Sequence, residues 1–255
     1  TEEPYAAISL GGAADSEAAI TAARWTFPSW SMTTPAERGE VLRAILAVYE
    51  ARGADMAEAI STEMGAPIDM ALSDQAGAGR SHLKAFVRAL DAFEWQRPIR
   101  PGTEGQDLVF EAAGVAGLIT PWNWPMNQVV LKVGAALAAG CTMVLKPSEI
   151  APMSSILFAE IMHEAGVPAG VFNMVNGDGP GVGTILSSHP DIDVVSFTGS
   201  TRAGILISKA AADTVKTVSL ELGGKSPNLV FNDTDIDAAV ARGASFCFAN
   251  TGQSC

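Results

Sequence analysis

A cysteine and a glutamate in two separate motifs are the residues of this chain best suited to covalent chemistry. Cys255 follows the small and polar residues 251–254, whereas Cys141 and Cys247 lie in apolar segments and are predicted to be buried and inert. Glu221 stands between two leucines at the end of a predicted strand, and such an apolar setting suits a general base. A thiol nucleophile and a separate carboxylate base are residue types that covalent catalysis uses. The alternative for Glu221 is a structural ion pair with Lys225.

An amide is held in a rigid turn well before these two residues. Asn123 stands between Trp122 and Trp124, with Pro121 and Pro125 on either side. The prolines restrict the backbone, so the side-chain amide could donate to an oxyanion from a fixed position. On this motif alone, the more common case is a strand-to-helix turn whose tryptophans simply pack.

A lysine and a glutamate follow a second predicted strand in the segment Lys146-Pro147-Ser148-Glu149. A carboxylate at this place can accept hydrogen bonds from both ribose hydroxyls of a dinucleotide, and it repels a 2′-phosphate. The alternative is a solvated pair at a helix start, where a glutamate suits the positive end of the helix dipole.

Two glycine-containing segments are weaker signals. Residues 177–183 read Gly-Asp-Gly-Pro-Gly-Val-Gly, which does not fit the dinucleotide pattern G-x-G-x-x-G and is as typical of a plain loop. Phe197-Thr198-Gly199-Ser200 follows a later strand, and Ser200 is a suitable N-cap for the next helix.

Alternating strands and helices must position these motifs. After Gly114, short β-rich runs are predicted to be strands at 115–120, 142–146, 171–175, 194–197 and 217–220. Helical segments are predicted between them near 126–139, 154–165, 180–188 and 200–212. This order indicates an α/β fold with a doubly wound parallel sheet. Ligands bind such sheets beyond the carboxyl ends of the strands, and the polar motifs follow strand ends.

The first ~95 residues are predicted to be helical. A capping box with proline at the first helical position begins one helix at Thr34-Pro35-Ala36-Glu37. A second helix is predicted over Ala57–Met64 and a third through 83–93. A proline- and glycine-containing break is predicted at 97–105, followed by a strand at 107–111.

Bulk properties exclude several classes of partner. The net charge is −12, and the 16 basic residues are scattered, so neither nucleic acid nor an anionic membrane surface is expected as a partner. The longest apolar stretch, 129–145, is interrupted by Lys132 and glycines and is predicted to be a buried helix followed by a buried strand. Three scattered histidines show no metal spacing, so no metal is expected. Three cysteines without a disulfide pattern fit a reducing compartment, the cytoplasm by default.

Five of these motifs, in their order along the chain, resemble those of the NAD(P)-dependent aldehyde dehydrogenases; they lie at 120–125, 146–149, 197–200, 220–227 and 249–255. The resemblance implies a Rossmann-like NAD-binding domain over 1–93 and 113–223, with an N-terminal helical region. It further implies an oligomerisation arm at 94–112 and the start of a catalytic domain at 224–255. Family members run to roughly twice this length, so most of the catalytic domain is expected outside the chain. The complete protein is expected to be a homodimer or homotetramer.

The resemblance also implies residue roles. Cys255 corresponds to the nucleophile, Glu221 to the base that activates water, and Asn123 to the amide that holds the substrate oxygen. The implied cofactor contacts are Thr120, Trp122, Lys146, Ser148, Glu149, Gly179, Gly183, Phe197, Thr198, Gly199, Ser200 and Leu222. Glu149 favours NAD over NADP as the cofactor because of its negative charge.

The implied reaction is oxidation of an aldehyde to a carboxylic acid through a cysteine thiohemiacetal and thioester. The alternatives are a CoA-acylating semialdehyde dehydrogenase, a group that generally lacks this glutamate, and a non-catalytic NAD-binding fragment. Trp124, Gln128 and Leu131 are implied to face the substrate tunnel. Leu131 and Ala249 stand where several relatives carry aromatic rings, so bulky or aromatic aldehydes are expected in preference to acetaldehyde. Gln128 could instead form a bridge within the protein.

Overall fold

A five-stranded parallel sheet forms the centre of the chain. The structure, a computed structural model, describes residues 3–103 and 105–255. The sheet consists of β3 (Val115–Ile119), β4 (Thr142–Lys146), β5 (Phe172–Met174), β6 (Val194–Gly199) and β7 (Thr217–Leu222). The strand order is β5-β4-β3-β6-β7, and every neighbouring pair is parallel. The predicted doubly wound α/β fold is therefore confirmed.

Helices cover both faces of this sheet. The helices of the N-terminal region are α1 (Ala13–Ser31), α2 (Pro35–Ala51), α3 (Gly53–Met64), the short α4 (Ile68–Met70) and α5 (Ala76–Ala92). The later helices are α6 (Pro125–Ala139), α7 (Met153–Glu164), α8 (Thr184–Ser188), α9 (Thr201–Ala212) and α10 (Ile236–Phe248). Single turns of π-helix at Ala71–Gln75 and Gly179–Gly183 lead into α5 and α8.

Alternation along the strands divides the buried apolar residues into two layers. Leu118, Met143 and Leu145 pack with residues of α2, α3, α6 and α7 on one face. Ile119 and Val144 point to the other face, where α1, α8 and α9 cover them. Successive side chains of a strand point to opposite faces, and burying each large aliphatic side chain contributes about 1.5–3 kcal/mol. Helices therefore cover both faces of the central strands, and the carboxyl ends of the strands remain available to a ligand.

Several local predictions are confirmed. Thr34 Oγ1 accepts a hydrogen bond of 3.2 Å from the Glu37 amide, and Glu37 Oε2 accepts one of 2.7 Å from the Thr34 amide, so the capping box forms at the start of α2. The hydrogen bonds that the Thr34 amide and hydroxyl donate to the carboxylate lower the pKa of Glu37. Gly65 ends α3 with a left-handed φ of 78°, which explains why a glycine is needed there. The apolar stretch 129–145 is α6 followed by β4, as predicted.

The arm segment differs from its prediction. The predicted break at 97–105 begins within a short strand, β1 (Gln96–Pro98), which pairs antiparallel with β2 (Asp107–Val109). Strand pairing extended the ordered structure into the proline-containing segment, because a proline can end an exposed strand without losing a ladder hydrogen bond. Glu104, within the predicted break, lies outside the described residues.

Two strands are longer than predicted. β6 continues through Gly199 and β7 through Leu222, since Thr198 pairs with Glu221 and Gly199 with Leu222. Thr198 and Gly199 were predicted to follow the strand and in fact form its end. Across the described residues, no helix combines the length and apolar character needed to cross a membrane.

Candidate active site

The polar motifs meet at the carboxyl edge of the sheet. Thr120 directly follows β3, Lys146 ends β4, Ser200 follows β6, and Glu221 lies one residue before the end of β7. In parallel strands all carboxyl ends point the same way, so motifs spread over 100 residues of sequence share one edge.

The turn between β3 and α6 carries Asn123 to the loop that ends in Cys255. The Asn123 side-chain amide donates to the main-chain oxygen of Gln253 over 2.7 Å. The Trp124 indole N–H donates to Ser254 Oγ over 3.1 Å. Pro125 begins α6, which fixes the direction in which the turn ends. The structure thus joins two motifs that are 130 residues apart in the sequence.

The loop before Cys255 has an unusual backbone. Asn250, Thr251 and Gly252 all have left-handed φ angles, of 52°, 56° and 76°. Asparagine and glycine tolerate this conformation, but a β-branched threonine does not, at a cost of about 1–3 kcal/mol. Asn250 is also buried and its amide donates to the Asn123 main-chain oxygen over 2.8 Å. Contacts with the asparagine turn therefore help to hold the loop in shape.

The three cysteines differ in access to solvent. Cys255 is exposed, as a nucleophile requires, and Cys141 is buried, where desolvation raises the pKa of its thiol. The prediction that Cys247 is buried is wrong, because Cys247 is exposed on α10. The large apolar residues of α10 are exposed as well, so the apolar pattern of this helix did not report burial within the chain.

Glu221 lies in a cleft of about 370 Å³ with a lysine that sequence reasoning did not assign to the site. Lys132, on α6, donates to Ser196 Oγ over 2.7 Å. Desolvation lowers the pKa of Lys132 to about 8, and the negative charge of Glu221 opposes this shift. The only signal in the sequence was a charge inside an otherwise apolar run. An ammonium group beside Glu221 can interact with the base electrostatically and can hold or release a proton.

The predicted apolar setting of Glu221 is wrong for the described chain. Glu221 is exposed, since its flanking leucines lie on the other face of the strand and do not cover it. Among the ion pairs of the described residues, none joins Glu221 to Lys225, so the structural alternative has no support either.

The residues implied to line the substrate tunnel divide between two places. Gln128 and Leu131 line the same cleft as Glu221. Trp124 lies at the cysteine loop through its bond to Ser254, and Ala249 is half-buried at the start of that loop. Gln128 has no side-chain partner among the described hydrogen bonds, whereas its alternative role as an internal bridge would require one.

A second cleft, of about 880 Å³, contains several of the implied cofactor contacts. It opens between the 179–188 segment and α9, and it is lined by Gly179, Gly183, Phe197 and Ser200. A Cβ at Gly183 would lie 3.9 Å from Lys146 Cδ, an ordinary van der Waals distance, so Gly183 lies next to the lysine. Ser200 Oγ accepts from the Ala203 amide over 3.2 Å, which confirms the predicted N-cap of α9. The amide-rich start of α9 therefore faces a space suited to a phosphate-containing ligand.

Lys146 is buried and makes three hydrogen bonds within the chain. Its ammonium group donates to the Pro147 oxygen over 2.8 Å, to the Gly177 oxygen over 2.6 Å and to Glu149 Oε2 over 3.0 Å. A direct ribose contact from Lys146 would require one of these bonds to be exchanged, because an ammonium group has three donors. The Glu149 side chain is 40% exposed and is held by the lysine, so its carboxylate can accept from a ligand.

The remaining implied contacts surround the strand ends. The Thr120 and Thr198 hydroxyls are buried without a hydrogen-bond partner among the described residues. Buried polar groups are normally paired, so these two hydroxyls fit a ligand with polar atoms at this edge. Ser148 Oγ accepts from the Ile150 amide over 3.3 Å, and Trp122 packs at the border of the core. Leu222 lies against Gly204 of α9, and Gly199 against the Phe197 ring, so their implied roles concern shape and not hydrogen bonding.

Comparisons with known proteins identify the family of the chain. The sequence profile described as "Aldehyde dehydrogenase family" matches residues 1–255. Over 256 residues the chain is 52% identical to 3-succinoylsemialdehyde-pyridine dehydrogenase of a Pseudomonas species, covering 100% of this chain and 53% of that protein.

Solved structures give the same result. The crystal structure of an aldehyde dehydrogenase from Bartonella henselae matches with a TM-score of 0.98 and 58% identity, covering 100% of this chain and 53% of that one. A mutant of aldehyde dehydrogenase C from Pseudomonas syringae, in complex with NAD⁺ and octanal, matches with a TM-score of 0.96 and 47% identity, over 100% and 52% of the two chains. The chain spans about half the length of these relatives. Because the family profile matches along the full sequence, the chain belongs to the aldehyde dehydrogenase family.

Proposed function

We propose that this chain carries the cofactor-binding half and the catalytic cysteine of an enzyme that oxidises an aldehyde to a carboxylic acid with NAD. The observation that carries the proposal is the 2.7 Å hydrogen bond between the Asn123 amide and the Gln253 oxygen. This bond brings an oxyanion donor to the loop that presents an exposed cysteine. A relative 47% identical to the chain has been crystallised with NAD⁺ and octanal, which supports both the cofactor and the substrate class.

The first chemical step belongs to Cys255. Its thiolate attacks the aldehyde carbon, and the carbonyl oxygen becomes an oxyanion. The Asn123 amide has two N–H bonds, of which one is engaged with Gln253, so the other is free to donate to this oxyanion. The Cys255 main-chain N–H is the second donor. NAD, when bound, accepts the hydride that leaves the thiohemiacetal carbon, and an enzyme-bound thioester remains on the cysteine.

The second step belongs to Glu221. Its carboxylate removes a proton from water, and the hydroxide that forms attacks the thioester and releases the acid and the thiol. The exposed position of Glu221 in the described cleft lets water reach it. Lys132, whose pKa is lowered by desolvation, lines the same cleft. The presence of this glutamate favours hydrolysis over transfer of the acyl group to coenzyme A.

The residues around the second cleft would hold NAD. The start of α9 at Ser200 would receive the pyrophosphate, and the Gly179 and Gly183 turn would lie beside the adenine. The partly exposed carboxylate of Glu149 would accept from the adenosine ribose, and its charge would oppose a 2′-phosphate. Lys146 neutralises part of this charge at 3.0 Å, so the preference for NAD over NADP would be moderate.

The substrate is proposed to be a bulky or aromatic aldehyde. Leu131, which lines the cleft beside Glu221, is 40% exposed and leaves more room than an aromatic ring would. The relative that is 52% identical is named for a semialdehyde that carries a pyridine ring. Both observations support a preference for such substrates over acetaldehyde.

The division into domains has structural support. Residues 1–93 and 113–223 would form the NAD-binding domain, because they build the parallel sheet and its covering helices.

The arm at 94–112 consists of an exposed two-stranded ribbon, and such ribbons are marginally stable without a partner. It would join the subunits of a homodimer or homotetramer. Segment 224–255 exposes Leu229, Phe231 and Phe246, which supports packing against the rest of a catalytic domain. With three free cysteines, the cytoplasm is the proposed location.

The decisive experiment is an assay of the full-length protein with a panel of aldehydes, in which NADH and the free acid are both measured. The proposed function predicts equal amounts of NADH and acid without coenzyme A. Turnover that requires coenzyme A and releases no acid would indicate an acylating enzyme. Binding of NAD without turnover of any aldehyde would indicate a non-catalytic protein.

A further inference from the structure

A buried glutamine connects the two catalytic segments, although it belongs to neither. Gln75 is fully buried at the end of the π-helical turn Ala71–Gln75, just before α5. A π-turn adds a residue to the helix and redirects the side chains around it, and such turns are frequent at functional sites. Here the turn directs the Gln75 amide towards the asparagine turn and the cysteine loop.

The Gln75 side-chain nitrogen makes one bond to each catalytic segment. It donates to the Asn123 main-chain oxygen over 3.1 Å and to Asn250 Oδ1 over 2.8 Å. The Asn250 amide nitrogen in turn donates to the same Asn123 oxygen over 2.8 Å. Gln75, Asn250 and Asn123 therefore form a closed triangle of hydrogen bonds, which restricts all three groups more than separate bonds would.

This triangle lies next to the strained part of the cysteine loop. Asn250 and Thr251 both have left-handed φ angles, and such conformations persist only where the surroundings impose them. The bond from Gln75 fixes the Asn250 side chain. The Asn250 main-chain oxygen accepts from the Gln253 amide over 3.0 Å, and the Asn250 side-chain amide lies 3.5 Å from the Gln253 oxygen that the Asn123 amide contacts. Without Gln75, Asn250 keeps a single long-range partner, the Asn123 oxygen.

A purely stabilising role does not account for the choice of glutamine. Gln75 Oε1 is buried without a hydrogen-bond partner among the described residues, and burying an unpaired acceptor is unfavourable. An apolar side chain of similar volume would avoid this penalty. The Gln75 nitrogen also lies 3.6 Å from Met64 Sδ, a weak acceptor, so the benefit of the amide must lie in its two bonds to oxygen, both of which end at catalytic segments.

We propose that Gln75 is a positioning residue that sets the geometry between the Asn123 amide and the Cys255 loop by holding Asn250. Its effect on catalysis rests on the function proposed above, whereas its effect on the loop does not. The role is distinct from that of a catalytic residue, since Gln75 bonds only to protein groups.

The test uses Gln75→Met in the full-length protein, because methionine has nearly the same volume and no donor. Asn173→Leu is the matched control. Asn173 is a partly buried amide that, like Gln75, donates to two oxygens, here the main-chain oxygens of Met143 and Gly170, but it lies on β5 far from the cysteine loop. Hydrogen exchange of the main-chain amides at 250–255 should accelerate about tenfold in Gln75→Met and stay at the wild-type rate in Asn173→Leu. Unchanged exchange in Gln75→Met overturns the proposal, whatever the activity.

Kinetic measurements then distinguish a role of Gln75 in positioning the catalytic groups from a general loss of protein stability. We expect Gln75→Met to lower kcat by about tenfold or more with little change in NAD affinity. In an Asn123→Ala background the same substitution should cost less than twofold, because the oxyanion donor that it positions is already gone. Equal losses of kcat in both backgrounds, or faster exchange with full activity, overturn the catalytic role.

If wild type oxidises no aldehyde, the proposed function fails, and the exchange data alone decide whether Gln75 holds the loop. If Gln75→Met does not fold, Gln75→Asn serves instead, since its shorter amide cannot reach both oxygens.

Discussion

The side-chain amide of Asn123 donates to the main-chain oxygen of Gln253 at 2.7 Å, two residues before Cys255. This single bond joins the turn after the central strand β3 to the loop after α10. One N–H of the amide remains for a substrate oxygen, and its direction is set by the bond that the other N–H makes. The geometry of the candidate active site therefore depends on the position of the Gln253 main chain as much as on the side chains of Asn123 and Cys255.

Separate roles for Cys255 and Glu221 predict separable kinetic defects. In the full-length protein, Cys255→Ala should abolish aldehyde-dependent NADH formation, because no thioester can form. Glu221→Gln should allow acylation and slow hydrolysis by about 100-fold, within the usual range for loss of a general base. A stopped-flow trace should then show a burst of NADH followed by slow turnover.

Cys247→Ala is the matched control for the thiol, since Cys247 is exposed but lies on α10 outside the motif. It should retain wild-type turnover. Steady-state turnover at the wild-type rate in Glu221→Gln would remove the glutamate from its role as the base.

The Glu149 carboxylate predicts the choice of cofactor. Glu149→Gln removes the negative charge that would face a 2′-phosphate, so kcat/KM with NADP should rise by about tenfold relative to NAD, equivalent to about 1.4 kcal/mol. Initial rates with both cofactors at fixed aldehyde measure this ratio. Glu58→Gln, at an exposed position on α3, should leave the ratio unchanged. A wild-type enzyme that uses NADP as well as NAD would contradict the ribose assignment.

The exposed side chain of Leu131 predicts that the enzyme accepts wide aldehydes such as benzaldehyde. Leu131→Trp places a large ring in the cleft beside Glu221 and should lower kcat/KM for benzaldehyde by about tenfold or more, with a smaller effect on acetaldehyde. The ratio of the two specificity constants is the measurement. A wild type that prefers acetaldehyde to benzaldehyde would show that the room beside Leu131 does not select the substrate.

The lowered pKa of Lys132 predicts a dependence of stability on pH. The folded pKa of about 8 lies below the ordinary lysine pKa of 10.5, so between these two pH values the unfolded state binds a proton that the folded state has lost. Stability therefore rises with pH across this window, and the penalty for burying the cation is fully present below pH 8. Lys132→Met removes this dependence, so it should raise Tm relative to wild type near pH 7 and lose that advantage by about pH 10.5.

Thermal unfolding of both proteins across that pH range tests the prediction. Lys84→Met, which removes a more exposed lysine paired with Glu50, controls for alkaline effects on the rest of the chain. A Tm difference between wild type and Lys132→Met that is the same at every pH would show that Lys132 does not titrate in this window.

The sequence by itself determined the helix ends and strands that depend on neighbouring residues. The capping box at Thr34 and Glu37, the Gly65 helix end and the strand over 142–146 all appear where the sequence predicts them. Each depends on hydrogen bonds, backbone preferences or apolar runs within a few residues. The order of strands and helices also determined the parallel sheet, because βαβ connections leave few alternatives.

Only the tertiary structure decided which distant side chains form hydrogen bonds with each other. Lys132 meets Ser196 across 64 residues of sequence, and Gln75 meets Asn250 across 175. The extra residues of β6 and β7 and the exposure of Glu221 likewise depend on which strands become neighbours. Sequence patterns report which face of an element is apolar, but not which polar groups from distant elements are brought within 3 Å of each other. That distance is set by the packing of whole helices against the sheet, and it placed Lys132 and Gln75 beside the candidate catalytic residues.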